Sequence, residues 1–212
     1  MLNNYFVGVD LGQCRDFTAI AAVERVEVST EWSGATFSHA KKAELRLRFL
    51  ERVELGTPYP EVVERVVRVT KSRELAGRCQ LVVDGTGVGR PVVDLLRGAR
   101  PGCTVMPVTI TSGQRESLTD GYYGIPKRDL IVGLQVLLQQ GELQIAAGLK
   151  YGAALAAEMA AMQVKVTSAG REQFGAWREG THDDLVFAVA LACWGCKKAY
   201  RNGGEQKRLP GM

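Results

Sequence analysis

The sequence predicts a mixed α/β domain, a β-sheet covered by helices. Three observations carry that prediction. Three strand-like segments come first (residues 5–10, 18–28 and 44–49), helix-like and strand-like segments alternate after them, and no internal repeat or low-complexity linker divides the 212 residues. A chain of this length with 46% apolar residues can bury one substantial core. The expected organisation is one domain over residues 1–200 followed by a flexible C-terminal tail, 201–212.

The elements follow from local pattern. Residues 5–10 form an apolar run closed by Asp10, and residues 18–28 are rich in small and β-branched residues after the Gly12 to Asp16 turn, so the two predict a hairpin. Residues 44–49 alternate, with Leu45, Leu47 and Phe49 on one side and Glu44, Arg46 and Arg48 on the other. Pro60 stands where a helix can begin, and Val62, Val63, Val66, Val67 and Thr70 recur at helical spacing in spite of their β-branched chemistry. Residues 79–83 predict a strand ending in Asp84, followed by a glycine loop, a helix over 91–97 and a strand over 104–108. The polar stretch 111–124 has no clean periodicity and is expected to be a mobile loop, with Gly113, Gly121 and Gly124 as hinges. A helix over 130–140, a small strand over 142–145 and an alanine-rich helix over 149–162 come next. A hairpin over 164–177 is expected to turn at Ala169-Gly170, and a last helix to run from Asp183 to about Tyr200, with Thr181 or Asp183 as its N-cap.

Composition excludes some classes. Lysine and arginine outnumber aspartate and glutamate by only 27 to 23, so any basic surface must be local. The longest apolar runs, such as 185–194, fall short of the roughly 20 residues that span a bilayer. No basic n-region or small-residue cleavage site precedes the first strand, so a cytoplasmic location without membrane contact is expected. Five scattered cysteines fit a reducing compartment. Cys193 and Cys196 form a CxxC, but no second CxxC or His pair accompanies it, and two buried small residues on one helix explain the spacing better than zinc does.

The residues that bear chemistry are acidic. Asp10 and Asp84 each close a strand, where open α/β sheets place their ligands, although an aspartate in that position is often only a turn former. Asp183 and Asp184 open a helix whose next eight residues, Leu185 to Ala192, are all apolar, so the helix must dock deeply and fix its acidic end. If that end meets the strand ends, carboxylates converge. Crowded carboxylates either raise their pKa values or hold cations, and oxygen-only donors favour magnesium or manganese. Two such ions about 4 Å apart activate water and stabilise the leaving oxygen of a phosphodiester.

The segments Val7-Gly8-Val9-Asp10, Asp84-Gly85-Thr86-Gly87-Val88-Gly89 and His182-Asp183-Asp184-Leu185-Val186-Phe187-Ala188, together with Ile125-Pro126-Lys127 before a helix, resemble the nuclease domain of phage terminase large subunits. The resemblance covers nearly all of residues 5–198. It implies a ribonuclease H-like fold and metal-dependent cleavage of double-stranded DNA during genome packaging. It also implies Asp10, Asp84, Asp183 and Asp184 as catalytic and metal-binding residues in a two-metal site holding Mg2+ or Mn2+. A packaging ATPase, a small terminase and a portal are the further partners it implies. Asp16 matches another acidic position of some relatives, and serves equally well as a turn residue.

The chain departs from the family in one respect: no G-x-x-x-x-G-K-[ST] loop occurs, so the motor is expected on another domain or chain. Candidate phosphate contacts are Lys127 first, then Arg115 and Arg128, with Lys197, Lys198 and Arg201 near the tail. His182 is either a ligand-orienting residue or a capping one, and Trp177 and Trp194 are expected in the core. Rival readings are a Holliday-junction resolvase, which would share fold and metals, and a kinase-like or actin-like ATP site, suggested by Asp10-Leu11-Gly12 but needing two such domains. A dinucleotide loop fails because Arg90 stands where the third glycine belongs, and a non-catalytic DNA-binding module is disfavoured because bare carboxylates weaken contact with phosphate.

Overall fold

The computed structural model describes residues 4–12, 16–34, 37–87, 89–166, 172–175 and 182–205. Among them the order is β1 (Tyr5–Asp10), β2 (Ala19–Ser33), β3 (Ser38–Arg52), α1 (Tyr59–Thr70), β4 (Cys79–Asp84), α2 (Gly89–Gly98), β5 (Thr104–Thr111), β6 (Ser117–Thr119), β7 (Tyr122–Pro126), α3 (Lys127–Gln139), β8 (Leu143–Ile145), α4 (Gly152–Ala161), β9 (Gln163–Val166), β10 (Glu172–Gly175) and α5 (Asp184–Glu205). Eight strands make one sheet in the order β6-β7-β5-β4-β1-β2-β3-β8, and β9 pairs with β10 separately. The first three strands run antiparallel, whereas β4, β5 and β7 continue parallel from β1. The predicted mixed sheet covered by helices is therefore the observed one.

Side-chain alternation divides the core between the two faces. Val7, Val9, Ile20, Ala22, Leu81 and Val83 pack with Val62, Val63 and Val66 of α1 and with Val92 and Leu96 of α2. Phe6, Ala19, Ala21, Val23, Leu47 and Val82 face the opposite way, toward α5, Leu130 and Leu134 of α3 and Leu155 of α4. The valine-rich α1 is a helix because its apolar positions make one buried stripe, and tertiary burial overrides its weak intrinsic propensity.

Strands β2 and β3 run longer than expected, to Ser33 and over Ser38–Arg52, and three further details differ from the sequence expectations. Residues 117–126 form a hairpin where a loop is expected. Its turn is Asp120-Gly121, both with positive φ (52° and 79°), which is the twist two-residue hairpin loops require. In β3, the register steps between Ala22 and Val23, which pair with Phe49 and Leu47, so Arg48 is an inserted residue. This bulge turns Phe49 to the α1 face and puts Leu50 beside Leu45 and Leu47 on the α5 face. Finally, α5 continues to Glu205, five residues into the expected tail. The turn at Ala169-Gly170, Trp177, Thr181 and residues 206–212 lie outside the described residues.

What seats α5 is the absence of side chains where it crosses the sheet. A Cβ at Gly8 of β1 would stand 2.0 Å from the Ala188 carbonyl oxygen and 2.6 Å from the Ala192 nitrogen, both helix backbone. A Cβ at Gly195 would meet Val82 Cγ2 at 2.5 Å. Helix and strand therefore approach at a distance only glycine allows. Gly8→Ala must push α5 off the sheet and is expected to cost about 3 kcal/mol. Gly133→Ala, in α3 where an added Cβ meets nothing within 4 Å, is expected to stabilise by up to about 1 kcal/mol. Urea midpoints of the two variants test this, and equal midpoints would show that Gly8 does not seat the helix.

Candidate metal centre at the strand ends

Asp10 and Asp84 are register partners across the parallel pair β1 and β4. Asp10 also pairs with Ala19, and Ala19 pairs with Arg52. Four adjacent strands thus present Asp84, Asp10, Ala19 and Arg52 in one row. Two residues along each strand, in the direction away from the strand ends, lie Val82, Gly8, Ala21 and Leu50, all on the α5 side, so the row faces that side too. For Arg52 this depends on the Arg48 bulge, since uninterrupted alternation would have turned Glu51 to α5. Instead Glu51 faces α1 and accepts bonds from Arg65, with Arg65 Nε to Oε2 at 2.9 Å.

The acidic start of α5 lies above this row. Asp184 is 5% exposed and accepts two bonds from Arg52, Nε to Oδ2 at 2.8 Å and Nη2 to Oδ1 at 3.2 Å. The same Nη2 also donates to Oε1 of Glu158, which is 6% exposed on α4. The other oxygen of Glu158 accepts the N–H groups of Leu185 (3.0 Å) and Val186 (3.2 Å). A side chain from another helix therefore satisfies two of the free N–H groups at the start of α5. The Phe17 ring covers the guanidinium at 4.8 Å and meets the His182 ring edge-on at 4.9 Å.

Asp183 is partly exposed and pairs with Lys127 Nζ at 3.4 Å, across from the start of α3. Asp84 bends back onto the glycine loop. Its Oδ1 accepts the Thr86 N–H at 2.8 Å and the Thr86 hydroxyl at 2.5 Å, and that hydroxyl in turn accepts the Ile110 N–H at 2.7 Å.

The four aspartates share one electrostatic field. Burial first, then Asp84, Asp183 and Asp184, push the Asp10 carboxyl well above its ordinary value, and Lys127 opposes them. Burial also raises Asp84 against the bonds from Thr86, and raises Asp184 against the pull of Arg52. Glu158 rises to about 7 through burial and the charge of Asp184, because one guanidinium is divided between two buried carboxylates.

In donor type and charge, this set suits a hard divalent cation. All donors are carboxylate oxygens, and the Lys127 ammonium already occupies their field as a tethered cation. As they stand, no three Asp, Glu, His or Cys side chains among the described residues are gathered tightly enough to hold an ion. The contacts explain why: Asp84 is drawn to Thr86, Asp183 to Lys127 and Asp184 to Arg52.

Of the other sequence candidates, Lys127 is the basic residue that reaches the carboxylates. Arg115 is exposed in the β5–β6 connection, Arg128 is exposed in the first turn of α3, and Asp16 is exposed before β2. Trp194 is buried, its indole N–H donating to Glu116 at 2.7 Å, and Cys193 and Cys196 are buried on α5. Arg52 and Glu158 are absent from the sequence candidates. Glu158 does carry a signal, as the charged residue in the otherwise apolar helix Gly152–Ala161.

These shifts set a pH dependence for the metal-free protein. Asp10, Asp84, Asp184 and Glu158 bind protons more tightly folded than unfolded. For Glu158 the stabilisation is full below its ordinary 4.5 and is lost as pH rises through about 7. Thermal midpoints in EDTA are expected to fall across that window. Asp10→Asn is expected to melt above the parent at high pH and to match it near pH 4. A midpoint rising with pH, or an Asn variant less stable at high pH, would contradict the crowding of charge.

No protein-family model matches the chain, and no curated protein matches its sequence. Solved structures do match. The large terminase nuclease of thermophilic phage G20c with bound magnesium superposes with a TM-score of 0.63 at 20% identity, over 90% of this chain and 80% of that one. The g2p large terminase nuclease domain of bacteriophage SPP1 with bound manganese gives 0.52 at 10% identity, over 92% and 88%. The large terminase of bacteriophage HK97 gives 0.52 at 13% identity, over 92% of this chain and 40% of that one. The chain thus has the ribonuclease H-like α/β fold of phage large terminase nuclease domains, as the motifs around Asp10, Asp84 and Asp183 implied.

Proposed function

We propose that the chain is a divalent-metal-dependent endonuclease that hydrolyses phosphodiester bonds of double-stranded DNA, as in viral genome packaging. The observation that carries this reading is the meeting of Asp10, Asp84, Asp183 and Asp184 in one field at the sheet edge, with Lys127 among them. The fold shared with terminase nucleases, two of them with bound magnesium or manganese, supports it.

In this reading Asp10, Asp84 and an aspartate of the 183–184 pair hold two Mg2+ or Mn2+ ions. When bound, the ions supply activation of water and stabilisation of the leaving oxygen. The chain's own residues arrange the rest. Thr86 orients Asp84 through two bonds to one oxygen. Lys127 can transfer its ammonium from Asp183 to a phosphate, and Arg115 and Arg128 add charge contacts that hold the duplex without reading its sequence. The motor ATPase acts from another domain or chain, with a small terminase and a portal as further partners, in the host cytoplasm. Among the described residues no helix is long and apolar enough to cross a membrane.

Incubating the purified chain with linear duplex and with four-way junctions, in Mn2+, Mg2+ or EDTA, tests the proposal. Linear duplex is expected to be cut only with metal, and Asp84→Asn is expected to abolish cutting while its melting midpoint stays level or rises. Equal cutting by that variant would assign the activity elsewhere. Preference for junctions would move the chain to the resolvases, and ATP turnover to the kinase-like reading. Lys127→Ala is expected to weaken duplex binding and to lower the slope of log affinity against log salt by about 1. An unchanged slope would remove Lys127 from the DNA contact.

A further inference from the structure

We propose that Arg52 and Glu158 are positioning residues of the acidic site: Arg52 clamps Asp184, and Glu158 holds both Arg52 and the first turn of α5, so that together they set where the Asp183-Asp184 end lies over Asp10 and Asp84. This rests on the metal-dependent reading given above and deepens it.

Three independent features of the fold meet in this arrangement. Arg52 shares the strand-end row with Asp10 and Asp84, and it faces α5 because Arg48 is inserted as a bulge four residues earlier. Bulges recur where a strand must re-aim a side chain beside a site. The clamp on Asp184 is bidentate, which fixes the orientation of the carboxylate as well as its place. Glu158 comes from α4, and its two oxygens serve different partners. Oε1 accepts from Arg52, and Oε2 accepts from the Leu185 and Val186 N–H groups. The Phe17 ring closes the guanidinium from one side, and the Tyr151 hydroxyl donates to the Arg52 carbonyl oxygen at 3.3 Å. The clamp is largely withdrawn from solvent, with Arg52 half-buried and the Arg52, Glu158 and Asp184 side chains 16%, 7% and 6% exposed, so its geometry is held by packing.

A buried ion cluster is not by itself a stabilising device, since the cost of desolvating three charges offsets their attraction. What this cluster does provide is a fixed helix start. Partners that orient ligand carboxylates typically alter metal affinity by 10- to 100-fold when removed, even though they never touch the ion.

The test measures Mn2+ affinity by electron paramagnetic resonance, beside thermal melting, for Arg52→Met, Arg52→Lys and Glu158→Gln in the full chain. Each folded variant is expected to bind Mn2+ at least about 10-fold more weakly, with Arg52→Lys, which keeps the charge and loses the fork, nearer the parent than Arg52→Met. If Arg52 acts through Asp184, adding Arg52→Met to Asp184→Asn is expected to bring no further loss. Affinities for the Arg52 and Glu158 variants unchanged within about twofold, or raised, would overturn the proposal, and so would full additivity in the double variant. The two layers separate cleanly. If the parent does not bind Mn2+, the metal reading falls and takes this one with it. If the parent binds, Asp10→Asn loses binding and the clamp variants keep it, the positioning role alone falls.

Discussion

Everything at the site depends on how closely one helix lies against one strand. The run Leu185 to Cys196 is buried almost throughout, and it reaches the sheet at Gly8, where helix backbone takes the space a side chain would fill. The contact does two things at once. It buries the apolar run of α5, and it carries the polar start of that helix into the same low-exposure region. Free N–H groups at a helix start need acceptors, and water is scarce there. Glu158 supplies the acceptor from α4, which brings a charge into the core, and that charge in turn needs Arg52. The ion cluster is thus the consequence of seating α5 deeply.

Charge balance at the edge follows from the same constraint. Asp10, Asp84, Asp183, Asp184 and Glu158 face two tethered cations, Lys127 and Arg52. Burial first, and this deficit after it, raise the carboxyls of Asp10 and Glu158. An edge left this acidic repels phosphate, whereas the same edge neutralised by divalent cations attracts it. A division of labour between the two resident cations is visible in their surroundings. Arg52 is half-buried, forked and packed under Phe17, as a fixed part would be. Lys127 is more exposed and is held by Asp183 at 3.4 Å and by the Phe187 ring at 4.5 Å, contacts without the fork that fixes Arg52.

Much of this is legible in the sequence because the signals are local. Asp10 and Asp84 each end an apolar run, and a helix that is apolar for eight residues after an acidic pair can only be docked at its start. The hairpin at Asp120-Gly121 is equally local, since Asp-Gly is a strong two-residue turn signal, but the polar composition around it masks the strands on either side. Arg52 and Glu158 are hidden for different reasons. The alternation Leu45, Leu47, Phe49 assigns faces correctly only up to Arg48, because an inserted residue has no marker in a period-two pattern. Glu158 pairs with residues 106, 27 and 28 positions away, so its meaning is tertiary, and only its isolation in an apolar helix announces it.

These two hidden residues coincide with the site for a physical reason. A strand that obeyed period two throughout would bury Leu45, Leu47 and Phe49 in line and point Glu51 at α5, adding a sixth carboxylate to an edge already short of cations. Inserting Arg48 exchanges Glu51 for Arg52 on that face, a change of two charges, and sends Glu51 to Arg65 on the other side. Likewise, a helix α4 without Glu158 would be more regular and would leave the Leu185 and Val186 N–H groups buried without acceptors. Local regularity is given up at the two places where the acidic end of α5 needs a cation and a cap. Departures from local rules concentrate where function constrains a fold, and the irregularities in β3 and α4 fall beside the proposed site.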